Sequence, residues 1–159
     1  MLRQVRQVSL LALLLASCTK ESAPSPSAPS APPEKKTEEK NYELSMTSPA
    51  LKAGQESSAA TITVTAISGF HVNPDYPVSF RPEGSEAVKF SGERVALTPS
   101  TKTPCAAKAE DSCKVEFPLP LTPEKAGAGK VAGIVAFSVC SEDKCLIEKV
   151  PLSLALQVE

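Results

Sequence analysis

From residue 41 onward, apolar side chains recur at every second position. Tyr42, Leu44 and Met46 form one such series, Ile62, Val64 and Ala66 a second with threonines between, and Val115, Phe117 and Leu119 a third. Val150, Leu152, Leu154, Leu156 and Val158 form the longest. A period of two puts alternate side chains on opposite faces of an extended chain, so each series predicts a half-buried strand, not a helix. Residues 131–139, VAGIVAFSV, are apolar at both parities and predict a central strand. Turn chemistry separates the runs at Ser48-Pro49, Ala53-Gly54, Asn73-Pro74-Asp75, Pro82-Glu83-Gly84 and Ala126-Gly127-Ala128-Gly129.

Many short strands at this spacing, with almost no helical pattern, predict an all-β fold: an antiparallel β-sandwich of immunoglobulin-like type. A barrel is the alternative, because periodicity does not fix topology. All seven aromatic residues lie between Tyr42 and Phe137. They fall inside the 119-residue segment 41–159, an ordinary size for one domain with its own core.

The first 40 residues read differently. Arg3 and Arg6 precede a short apolar run, Val8 to Ala16, which is the layout of a secretory signal peptide over residues 1–17. About 9 residues at 1.5 Å each cannot cross roughly 30 Å of hydrocarbon, so the run is no membrane span. Leu15-Ala16-Ser17-Cys18 resembles a bacterial lipoprotein lipobox. That resemblance implies cleavage before Cys18 and lipidation of its sulfur. Thr19 is not the aspartate that such lipoproteins often use for inner-membrane retention, so the expected location is the periplasmic face of the outer membrane. Thr19 to Lys40 holds five of the 15 prolines, no aromatic residue and a charged end. It buries too little to offset ordering entropy, and 18–40 is expected to be a lipidated, disordered tether. Its 22 residues beyond Cys18, at up to ~3.1 Å each, set a reach of several tens of Å.

Removing the signal lowers the cations from 17 to 15 against 18 acids, a side-chain sum of −3. No basic patch argues for nucleic acid, and the lipid is the expected membrane contact. A Gly-rich phosphate loop, a serine triad with its histidine and a framed carboxylate pair are all missing from the sequence. His71 is the sole histidine. Met46, His71 and the cysteines have the soft donors that suit copper, but they form no Met/His cluster, so no metal and no cofactor is expected.

Cysteine carries the remaining chemistry. Setting Cys18 aside leaves four, an even number in an oxidising compartment, which predicts two disulfides. Of three connectivities, local spacing favours Cys105–Cys113 and Cys140–Cys145. Closing either short loop contributes roughly 2 to 3 kcal/mol. A domain of this size does not depend on that, so stability is a weak reason for the second pair. Cys140 ends the central strand, Cys145 opens the last one, and the loop SEDK between them can turn a hairpin at the rim. Glu142, Asp143 and Glu148 disfavour a thiolate there, with Lys144 and Lys149 offsetting part of the effect, so the pair is expected to be a slow general reductant.

The closing segment VAGIVAFSVCSEDKCLIEKVPLSLAL resembles that of the amino-terminal periplasmic domain of the thiol:disulfide interchange protein DsbD, and ISGFHVNPDYPVSFRPE at 67–83 is similar to an early segment of the same family. The likeness covers roughly 60–159. It implies an immunoglobulin-like domain that relays reducing equivalents between a membrane or thioredoxin-like donor and periplasmic client proteins. Cys140 and Cys145 match the redox pair, and Cys145 matches the cysteine that forms the mixed disulfide with the client. The family's membrane and thioredoxin-like domains have no counterpart in the sequence up to Glu159, so the electrons are expected from a separate protein. Where the family has an aromatic cap, residues 91–113 contain Cys105 and Cys113 and no aromatic at all. Phe70, His71 and Tyr76 are the candidate neighbours or shields of the pair, and Cys105–Cys113 the structural disulfide. The competing expectation is a non-catalytic binding or assembly lipoprotein of the same fold, with both disulfides structural.

Overall fold

A computed structural model describes residues 40–55, 58–67 and 69–159. The signal segment 1–17, Cys18 and the tether to residue 39 lie outside the described residues. Ten strands and no helix are present among the described residues: β1 (Tyr42–Thr47), β2 (Ser58–Ala66), β3 (His71–Val72), β4 (Ser79–Pro82), β5 (Val88–Lys89), β6 (Val95–Ala96), β7 (Thr101–Pro104), β8 (Ser112–Pro123), β9 (Gly127–Cys140) and β10 (Cys145–Val158). All pairings between them are antiparallel.

The pairings build the expected immunoglobulin-like sandwich. One layer runs β1-β2-β8, with β7 and β5 on the far edge of β8. The other holds β10, β9, β4 and β6. Short β3 joins the layers, because Val72 pairs with both Ser112 of β8 and Val139 of β9. Alternation decides what lies between them. Ile62 and Val64 of β2, Val115, Phe117, Leu119 and Leu121 of β8, and Val131, Val135, Phe137 and Val139 of β9 form one buried core. Phe137 meets Tyr42 edge to face, with centroids 4.8 Å apart, which locks β9 against β1 across the sandwich.

The long β9–β10 hairpin keeps one register from Cys145↔Cys140 to Val158↔Gly127. Odd residues of β10 are exposed, and most even residues are partly buried against the core. β9 pairs on both edges, as a central strand must. At Gly133 an added Cβ would meet the Phe80 ring, with Cε2 only 2.8 Å away, so a side chain there is excluded by packing. The sequence places a turn over Ala126–Gly129, and the structure moves it: β8 ends at Pro123 and β9 already starts at Gly127. Gly129 is a strand residue where an added Cβ would come within 2.8 Å of Leu156 Cδ1 and 3.0 Å of Glu86 O, so its glycine serves strand packing and not a turn.

On its outer edge β10 meets Leu51 near Val158, through Glu159 N donating to Leu51 O at 2.8 Å. Lys149 and Pro151 lie farther along that strand, and proline has no N–H for an added strand.

Candidate functional site

Cys140 and Cys145 are register partners at the turn end of the β9–β10 hairpin and are joined by a disulfide, with Cα atoms 4.0 Å apart. Ser141 to Lys144 make the connection. Ser141 N donates to Lys144 O at 2.8 Å, and Asp143 N donates to the Ser141 hydroxyl at 3.3 Å, so the loop is closed by its own polar groups. The two sulfur-bearing residues differ in access. Cys140 is 5% exposed, whereas Cys145 is exposed to solvent.

β3 lies on the other side of β9, with His71 directly opposite Cys140. Directly opposed residues of an antiparallel pair point to the same face, with Cβ atoms ~4.5–5.5 Å apart. His71, Cys140 and Cys145 therefore form one row across three strands. The next row along places Ile147 opposite Ser138. Ile147 is 61% exposed and is the large apolar side chain most open to water among the described residues. The Ser138 hydroxyl is fully buried without a hydrogen-bond partner.

The second disulfide, Cys105–Cys113, closes the loop between β7 and β8, with Cα atoms 4.8 Å apart. That loop lies against the hairpin. Lys108 Nζ donates to Glu142 Oε1 at 2.7 Å, and Asp111 Oδ2 lies 3.4 Å from His71 Nδ1. The Glu142 carboxylate, through its hydrogen bond first and its charge second, holds the Lys108 ammonium above its ordinary range, and Lys108 in turn holds Glu142 below the usual carboxylate range. A depressed carboxylate favours the tied loop at neutral pH and loses that effect as acid protonates it. Both groups are solvated, so the contribution is small. Both disulfide loops line one cleft, with Phe70, His71, Asp111, Cys105, Cys113, and Ser141 to Asp143 in its wall.

The remaining sequence candidates separate. Phe70 stands beside the other disulfide, its carbonyl oxygen 3.8 Å from Cys113 Sγ. Tyr76 lines a different cleft, with Pro77, Leu97, Val115 and Phe117, and no cysteine is among its described lining residues. The disulfide-closed 105–113 loop lies beside the hairpin loop, held there through Lys108 and Glu142. Asp111 and Lys108 were not among the sequence candidates. Their roles depend on bringing residues 71 and 111 together, or 108 and 142, and no local pattern signals pairings that distant.

No family model matches the chain, and no curated protein does. Among solved structures it is similar to AggA, the major subunit of aggregative adherence fimbriae type I from Escherichia coli, at 11% identity over 74% of this chain and 94% of that one, with a TM-score of 0.38. It is also similar to self-complemented MyfA, the major subunit of Myf fimbriae from Yersinia enterocolitica, at 15% identity over 74% of this chain and 98% of that one, with a TM-score of 0.40.

Proposed function

We propose that this chain is a periplasmic, lipid-anchored thiol–disulfide exchange module, similar to the amino-terminal domain of DsbD, which passes reducing equivalents through Cys140 and Cys145. The observation that carries this reading is the unequal access of two directly opposed cysteines: Cys145 is open at the rim and Cys140 is 5% exposed. An attacking thiolate needs a line of approach to the sulfur it hits. Only Cys145 offers one, so a donor thiolate attacks Cys145 Sγ and Cys140 leaves as thiolate. In the forward direction the reduced Cys145 attacks a client disulfide, and Cys140 then displaces the client. Ile147, exposed two residues beyond Cys145 on the same face, supplies an apolar contact for the docked partner. Docking compensates for the acidic loop, which makes the pair a poor reductant in free solution.

Selectivity between the sulfurs tests this directly. In the full chain treated with limiting glutathione and quenched in acid, peptide mapping should find the glutathione adduct on Cys145. Adducts divided equally between Cys140 and Cys145 would contradict the proposed order of attack. The anchor is tested separately: Cys18→Ser should move the protein from the detergent phase to the aqueous phase or leave an uncleaved precursor. Unchanged partitioning would rule out lipidation at Cys18.

A further inference from the structure

A buried resolving cysteine raises a problem of proton transfer. Cys140 must become a thiolate to displace the client, yet at 5% exposure it has little contact with solvent bases. Acidic groups line the adjoining cleft and disfavour a lone thiolate beside it, Glu142 and Asp143 in the hairpin loop and Glu110 and Asp111 in the 105–113 loop, with Lys144 of the hairpin loop offsetting part of the effect. Lys108, the one cation lining the cleft among the described residues, is engaged by Glu142 at 2.7 Å. A base inside the row itself meets both difficulties.

We infer that His71, oriented by Asp111, is the proton acceptor for Cys140, an assignment that rests on the exchange reading above. His71 is the register partner of Cys140 on the edge of β9 opposite Cys145. Its Nδ1 faces Asp111 Oδ2 at 3.4 Å, which leaves Nε2 for the neighbouring sulfur. Both side chains are about three-quarters buried, at 23% and 25% exposure, so the ring is held in the cleft wall and does not sweep through solvent. The sequence Asp111, His71, Cys140, Cys145 then reads as carboxylate, imidazole, resolving thiol and attacking thiol. In the oxidised state Cys140 Sγ is bonded toward Cys145; in the mixed disulfide it is free to turn to His71.

The step balances as follows. Nε2 takes the Cys140 proton, and the resulting imidazolium faces the Asp111 carboxylate. The Cys140 thiolate attacks Cys145 Sγ, the Cys140–Cys145 bond forms, and the Cys145–client bond breaks. The client sulfur leaves with the electron pair and takes up a proton from His71 or from water. Two electrons pass from the Cys140/Cys145 dithiol to the client disulfide, and no further oxidant is needed.

The test follows closure of the pair. The reduced full chain is mixed with oxidised glutathione, which serves as the model client, and the Cys145–glutathione adduct and the closed Cys140–Cys145 bond are counted by peptide mass after acid quench, from about pH 5.5 to about pH 8.5. In His71→Gln, closure should slow about tenfold or more near pH 6, with adduct accumulating on Cys145, and the deficit should shrink as pH rises and the thiol loses its proton unaided. Asp111→Asn, which keeps the loop's shape, should change the pH profile in the same direction by less. A closure rate with the same pH profile in wild type and both variants overturns the assignment and leaves the exchange reading standing. A uniform slowing at every pH, with no change of profile, makes His71 a structural residue and likewise overturns it. A wild-type chain that neither forms the adduct nor closes overturns both readings.

Discussion

Replacing Cys140 by serine should leave Cys145 holding its partners as stable mixed disulfides, visible on non-reducing gels and removed by reductant. Cys145→Ser should trap few, because the sulfur that remains is Cys140, at 5% exposure. The contrast follows from the direction of attack: once the client is attached to Cys145, only Cys140 is placed across the β9–β10 ladder to release it. If both bonds only stapled the fold, the two substitutions would each cost a similar ~2 kcal/mol and capture nothing specific. Equal trapping by both variants would contradict the proposed division of labour.

The second large effect concerns the core that holds this row in place. Phe137 is fully buried, belongs to the central strand three residues before Cys140, and contacts Tyr42 of the opposite layer. Phe137→Ala should cost about 3–5 kcal/mol, from lost transfer energy and the cavity left behind. That is a large part of the ~5–15 kcal/mol available to a domain. Urea unfolding of the full chain should show a lower midpoint with little change in slope. A loss below about 1 kcal/mol would mean that the layers do not close over Phe137.

Much of the architecture was legible in the sequence because the strands bury one face. Met46, Ile62, Val64, Phe117 and Val158 lie in the core as their alternation predicts. Local cysteine spacing also anticipated both disulfides, since each closes a loop between adjacent strand ends. The short strands β3 to β7 were not legible. Two to four residues carry no measurable period; β3, β4, β5 and β7 are placed by pairing with β8 or β9, and β6 by pairing with β4. The turn at 126–129 was misplaced for a related reason. Glycine marks either a turn or a close approach, and Leu156, which decides between them at Gly129, is far away in sequence. The site divides along the same line: VCSEDKCL identifies the pair, whereas the row from His71 to Cys145 and its Asp111 flank exist only once β3 takes its place beside β9.

The reduction potential of Cys140–Cys145, measured in the full chain by equilibration in thiol buffers with peptide mapping to separate it from Cys105–Cys113, tests the exchange reading most directly. A bond that cycles cannot be a thermodynamic sink, so its potential should lie above the roughly −300 mV below which structural disulfides typically fall. A separation of about 30 mV between the two bonds corresponds to about 1.4 kcal/mol for a two-electron couple and is resolved by such titrations. The account predicts that Cys140–Cys145 opens in glutathione-range buffers while Cys105–Cys113 stays closed. A Cys140–Cys145 bond that resists those buffers as firmly as Cys105–Cys113 would contradict it and leave a β-sandwich binding module stapled by two structural disulfides.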